Sequence, residues 1–190
     1  MILSGGVVAF PTESFYALGV NATDEKAIER LFVIKKRQEN QPILILIPTI
    51  ETLDEYVKTI SETARKFIKR FWPGGLTLIF EAGPKISPLL TAETGKIGIR
   101  LSSHPVATSL AHEVGLPITG TSANISGQPA STTAEEVYHS LGKDVDLILD
   151  AGKTEGGKGS TILDITVVPP KILREGIVGR AQLNAFMPLA

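Results

Sequence analysis

Gly6-Val7-Val8-Ala9-Phe10-Pro11, near the start of the 190-residue chain, is an apolar run of strand length bounded by a glycine and a proline. Such a run reads as a buried β-strand. Behind it comes a polar stretch, Pro11-Thr12-Glu13-Ser14-Phe15-Tyr16-Ala17-Leu18-Gly19. Then residues 24–36 set Ala27, Ile28, Leu31 and Ile34 on one side at helical spacing, with Thr23 or Asp24 placed to cap the first turn. A strand, a polar connection and an amphipathic helix, in that order, are the repeating unit of an α/β fold.

Working outward, the same alternation continues. Residues 43–47, 76–80, 97–101, 118–121, 147–149, 161–166 and 172–174 read as further strands. Residues 61–71 read as a helix with Ala64, Phe67, Ile68 and Phe71 facing inward. Residues 105–114 follow, with Pro105 in the first turn and Gly115 just past the end. Thr133-Ala134-Glu135-Glu136 is a capping-box pattern opening a helix to about Leu141. Some connections are too short for a helix, among them 167–171 with Pro169-Pro170, so some neighbouring strands are expected to be antiparallel. The expectation is an α/β fold around one twisted mixed parallel/antiparallel sheet with flanking helices, spanning residues 1–190 as a single domain.

Composition narrows the function. Hydrophobic residues are 43% and charged residues 21%, the balance of an ordinary globular core and surface. No apolar run approaches the ~20 residues that cross a bilayer, and the start lacks a basic, then apolar leader, so no membrane role and a cytoplasmic setting are expected. The absence of cysteine removes disulfides, thiolate metal sites and a cysteine nucleophile. A net charge of -1 does not suit a protein that lives by gripping nucleic-acid backbone. Contact with RNA would need a local patch, and Lys35-Lys36-Arg37 is the dense one, with Lys66, Lys69 and Arg70 a looser second. Both read equally well as solvated helix faces.

Six polar segments stand at strand boundaries, where open α/β sheets keep their ligands. They are 11–19; Lys35 to Pro42; Trp72-Pro73-Gly74-Gly75-Leu76-Thr77; Arg100-Leu101-Ser102-Ser103-His104; Gly120 to Gly127; and Gly156 to Thr161. Two near-motifs fail on inspection. Residues 152–158 nearly spell a phosphate-binding loop, but Gly159 stands where Ser or Thr is needed and β-type sequence follows instead of a helix. Gly120-Thr121-Ser122-Ala123-Asn124 nearly spells a nucleophile elbow, but Asn124 replaces the last glycine. His104, His112 and His139 have no metal-ligand spacing.

Taken together the blocks resemble the YrdC-like family, which includes threonylcarbamoyl-AMP synthases. The residues that carry the resemblance are Phe10-Pro11-Thr12-Glu13, Tyr16 with Leu18-Gly19, Lys35 with Arg37 and Pro42, Trp72-Pro73-Gly74 with Leu76-Thr77, Ile99-Arg100 with His104, Thr121-Ser122-Ala123-Asn124 with Ser126-Gly127, Ser160-Thr161 with Asp164, and Leu173-Arg174 with Gly176. Order and spacing agree from about Val7 to Ile177. The resemblance implies a YrdC-like, DHBP-synthase-like fold. It also implies a nucleotidyltransferase reaction that joins L-threonine, bicarbonate and ATP into threonylcarbamoyl-AMP and pyrophosphate, feeding a tRNA-modifying transferase complex.

Residue by residue, the resemblance puts Lys35, Arg37, Gln41, Ser122, Asn124 and Arg174 on the ATP side, with Lys35 and Arg37 as the catalytic pair. It puts Ser14, Arg100, Gly120 and Ser160 on the threonine side, Arg100 forking onto the carboxylate. Mg²⁺ is expected to arrive with ATP, held by phosphate oxygens and water, with no metal site of the protein's own. Physics asks for such cations. An anion must approach a polyanion, and one cation at about 4 Å contributes on the order of 4 kcal/mol at an effective dielectric of about 20. The sequence departs from the family pattern at Ser14 (usually Thr), Gln38, Ser102 and Glu175 (each usually Pro) and Leu46, where some relatives carry a threonine-contacting His. Starting almost at the first strand, it is expected to be without the leading helix and strand of many members and without the extra C-terminal domain that some carry. Two other readings stay open: an RNA-binding module on the same fold, and a paralogue that adenylates another small carboxylate or transfers a carbamoyl group.

Overall fold

The structure, a computed structural model, describes residues 1–38 and 40–190. After a 3₁₀ turn at Ile2–Ser4, β1 (Val8–Pro11) and β2 (Tyr16–Gly19) form a hairpin that pairs Val8 with Gly19 and Pro11 with Tyr16. There follow α1 (Glu25–Lys35), β3 (Ile45–Leu46), a second 3₁₀ turn (Ile50–Glu55), α2 (Glu62–Phe71), β4 (Leu76–Glu81), α3 (Pro88–Thr91), β5 (Lys96–Arg100) and α4 (Pro105–Val114). Two short strands, β6 (Ile118–Thr119) and β7 (Thr121–Ser122), precede α5 (Ala134–Leu141), β8 (Leu147–Ile148), β9 (Thr161–Asp164), β10 (Lys171–Arg174) and α6 (Arg180–Phe186).

The expected α/β class and mixed strand directions hold. The single sheet does not, because the strands form two. One has the order β7-β2-β1-β8 and the other β10-β9-β4-β5-β3-β6. The division falls at Gly120, inside what reads in sequence as one strand. Residues before it pair antiparallel with β3, and residues after it pair antiparallel with β2. A side chain there would crowd its neighbours, since a Cβ would lie 2.7 Å from Leu44 Cδ1 and 3.1 Å from Leu46 Cγ, and those leucines would have to shift. Beyond this crossing, the Thr119 amide bonded to the Val20 carbonyl at 3.0 Å and a bridge between Asn21 and Ile118 hold the sheets edge to edge. The short 167–171 connection does join antiparallel neighbours, β9 and β10.

β1 is buried on both faces. Ala9 enters the larger core with Leu18, Leu31 and Ile28, while Val8 and Phe10 pack with Ala107 and Ala111 of α4. Its residues therefore show no polar–apolar alternation. The helix caps follow sequence. Asp24, not Thr23, accepts from the Ala27 amide (3.2 Å), and Ser61 accepts from Ala64 (3.1 Å). Thr133 caps α5, but Glu136 returns its bond to the Thr132 amide, one residue short of a full capping box. Among the described residues no helix is long and apolar enough to cross a membrane.

Candidate active site

Helix α1 ends because Lys36 adopts a left-handed conformation (φ 49°) and returns its N–H to Phe32 and Val33 carbonyls. That turn sends its two neighbours apart. Lys35 points inward and is only 1% exposed, while the Arg37 guanidinium bonds the Gln41 carbonyl (3.3 Å) and the Pro42 carbonyl (2.9 Å). Lys35 Nζ donates to the Ser122 carbonyl, the Asn124 carbonyl (2.8 Å) and Asn124 Oδ1 (3.3 Å). Burial, and then the nearby Arg37 charge, push this ammonium down to about 7. Lys35 is thus no part of a solvated basic patch; Lys66, Lys69 and Arg70, by contrast, do lie on the exposed face of α2.

Lys35 fixes the wall of a cavity of about 640 Å³, a size suited to a cofactor-sized ligand. Ser122 Oγ donates to Asn124 Oδ1 (2.6 Å) and Asn124 Nδ2 donates to the Gln128 carbonyl (2.6 Å), so this wall is fully bonded. Across from it stand Arg100, at the end of β5, and Arg174, at the end of β10. Arg174 donates to the Ser160 carbonyl through Nε (3.2 Å) and Nη2 (2.9 Å), and to Ser160 Oγ (3.2 Å). Its reach depends on Gly176, where a Cβ would lie 2.0 Å from the Gly159 carbonyl oxygen.

Arg100 is 4% exposed and pairs through Nη1 with Glu13 Oε2 at 2.9 Å; its Nε is buried with no partner among the described residues. Burial alone would raise the Glu13 carboxyl. The Arg100 guanidinium and bonds from the Ser103 amide and Ser102 hydroxyl overcome that and hold it below its ordinary value. Glu13 sits behind Arg100, not in the cavity, and no described residue lining the cavity is acidic. Burial weakens the hold of Arg174 on its proton, and the Arg100 charge adds to this, so the two guanidinium groups repel across the hollow.

Of the ten residues singled out in sequence, Ser14, Arg37, Gln41, Arg100, Gly120, Ser122, Asn124, Ser160 and Arg174 line this one cavity. Lys35 is the exception and lies behind its wall. All six polar segments reach the cavity, but the Trp72 segment brings only Thr77 and the Arg100 segment only Arg100, since Ser102 and Ser103 turn away toward Glu13 and a separate open groove with Pro48, Thr49 and Thr108. Sequence reasoning missed Glu13 and Thr77 as parts of the site, although both lie in the quoted blocks. His112 and His139 are exposed on their helices. Among the described residues no three His, Cys, Asp or Glu side chains gather as a metal site.

A family model for Sua5, YciO and YrdC, described as telomere recombination, matches residues 1–176. The threonylcarbamoyl-AMP synthase of Bacillus subtilis is 41% identical over 182 residues, covering 95% of this chain and 53% of that protein. The crystal structure of Pyrococcus abyssi Sua5 complexed with L-threonine superposes with a TM-score of 0.95 at 37% identity, covering 98% of this chain and 55% of that one. Escherichia coli YciO matches with a TM-score of 0.83 at 31% identity, covering 93% of this chain and 85% of its own. The chain spans about half the length of the first two relatives. A shared fold, a matched family model over nine-tenths of the sequence and a relative above two-fifths identity agree, and the chain belongs to the Sua5/YciO/YrdC family.

Proposed function

We propose that the chain makes threonylcarbamoyl-AMP from L-threonine, bicarbonate and ATP. The observation that carries the reading is the convergence of three guanidinium groups, Arg37, Arg100 and Arg174, from separate elements onto one hollow whose described lining holds no carboxylate. Such a hollow selects anions, and the reaction brings a carboxylate against a triphosphate. The relatives' names and the threonine-bound Sua5 structure point the same way.

In this reading the threonine amine attacks the bicarbonate carbon and water leaves, giving a carbamate. A carbamate oxygen then attacks the α-phosphorus as the bond to the β-phosphate bridge oxygen breaks, and pyrophosphate departs. Arg37 and Arg174 face the phosphates, with Gln41, Ser122 and Asn124 aligning the nucleotide. Lys35 acts from behind by fixing the carbonyls of Ser122 and Asn124. On the other side the carboxylate meets Arg100, whose Nη1 is held by Glu13, beside Ser14, Gly120 and Ser160. The chemistry is positioning and charge, with no covalent step on the protein. Mg²⁺ would arrive on the phosphates, held by their oxygens and water; of the lining oxygens the neutral Ser14 hydroxyl could meet it, whereas Asn124 Oδ1 already accepts from Lys35 Nζ and Ser122 Oγ. The adenylate would pass to a cytoplasmic tRNA-modifying transferase.

The test is ATP–pyrophosphate exchange. Label should return to ATP only with L-threonine and bicarbonate both present, and Arg37→Ala should lose at least tenfold in rate while keeping wild-type thermal stability. Absence of exchange in folded, Mg²⁺-supplied protein overturns the assignment.

A further inference from the structure

The hydroxyls at one end of the cavity do not balance within the protein. Thr77, on β4, is fully buried and its Oγ1 donates to Ser160 Oγ at 2.9 Å. Ser160, 5% exposed and one residue before β9, also accepts from Arg174 Nη2 at 3.2 Å on the same oxygen. Each hydroxyl owns one proton. One proton is used between the two oxygens, and Arg174 is a donor with nothing to accept. One hydroxyl proton of the pair therefore has no acceptor among the described residues. A buried donor left unpaired is costly, so this proton belongs to water or to a ligand. The ligand that satisfies it is an acceptor. With Arg100 and Arg174 both at this end, and no acidic side chain among the described lining residues, that acceptor is an anionic oxygen.

We infer that Thr77 is a positioning residue: by occupying one side of Ser160 Oγ it turns the Ser160 proton onto the carboxylate of the amino-acid substrate held at Arg100. The inference rests on the reading that this cavity takes an amino acid, and it adds a residue that no charge pattern points to. Parallel pairing sets the geometry. Thr77 lies opposite Ile162 and Leu76 opposite Thr161, so the backbone of β9 brings Ser160 alongside the Thr77 side chain. A hydroxyl donated to a carboxylate is charge-assisted and about twice as strong as a neutral bond.

Binding separates the possibilities. Titration calorimetry should compare wild type with Thr77→Val, which keeps the side chain's shape and removes the hydroxyl, and with Thr77→Ser, which restores it. The ligands are L-threonine, L-2-aminobutyrate (same carboxylate, no hydroxyl) and a non-hydrolysable ATP analogue. Thr77→Val should bind L-threonine about tenfold more weakly, the scale of one hydrogen bond, and L-2-aminobutyrate by the same factor. The ATP analogue should change less than twofold, and Thr77→Ser should regain most of the loss. Unchanged threonine binding in Thr77→Val overturns the inference alone. So does a loss confined to L-threonine, which would mean the proton reads the substrate hydroxyl, or an equal loss for the ATP analogue, which would mean general damage. Wild type that binds no L-threonine overturns the reading of the cavity and the inference with it. Should Thr77→Val not fold, Thr77→Ala reads the same quantity.

Discussion

Replacing Lys35 by Met removes a charge from a place where charge is costly, and the effect should appear as pH dependence. The Lys35 ammonium is 1% exposed, and the three oxygens it meets are all neutral. Desolvation and Arg37 lower it from 10.5 to about 7. The folded value lies below the unfolded one, so between about 7 and 10.5 the unfolded chain binds the extra proton and folding stability rises with pH. One proton is worth about 1.4 kcal/mol per pH unit. Wild-type stability should therefore gain ~2–3 kcal/mol on Lys35→Met between roughly pH 7.5 and 9.5. Urea denaturation followed by far-UV circular dichroism, at steps from about pH 6.5 to 9.5, measures the difference. Curves that run parallel across the whole range, or that converge as pH rises, would refute the reasoning. Loss of the donor also leaves the Ser122 and Asn124 carbonyls unbonded, so the variant should be weaker than wild type at every pH above neutrality.

Glu13→Gln leaves the buried Arg100 charge without its counter-ion and should destabilise by about 3–5 kcal/mol in the same assay. Because the Glu13 carboxyl is held below 4.5, its contribution is present above that value and lost as pH falls; the acid limb of a Tm-versus-pH curve should be shallower in the variant. Trp72 is 7% exposed and its Nε1 donates to the Leu76 carbonyl at 2.7 Å. Trp72→Ala should cost ~3–5 kcal/mol by thermal or urea unfolding, while exchange activity per folded molecule stays within about twofold.

Local signals made much of the fold legible. Asp24, Ser61 and Thr133 each cap the helix they appeared to begin, and Pro105 and Gly115 bracket α4. β2 was not legible, because Tyr16, Ala17, Leu18 and Gly19 are all buried and so lack the period of two that marks a half-exposed strand. Nor were α3 and α6. Four residues are too few for a helical period, and α6 buries only Leu183. The second sheet was hidden for a different reason. Gly120 carries no mark in sequence that the chain leaves one ladder for another there; only the crowding against Leu44 and Leu46 reveals it. In the candidate site, charge was the visible signal, and it pointed to three arginines that line one cavity. Lys35 lies behind the wall, its direction set by the conformation of Lys36 after it, and Glu13 and Thr77 carried no such signal, since their parts lie in hydrogen bonds to residues some eighty to ninety positions away.

The crossing at Gly120 has a mechanical consequence. One bank of the hollow, Ser14 with Ser122, rides on the hairpin sheet, and the other, Thr77 with Arg100 and Arg174, rides on the six-stranded one. A ligand gripped by both banks acts as a rivet. Its affinity is lowered by the entropy lost in freezing whatever rocking the seam allows, and whatever stiffens the seam beforehand spares that loss.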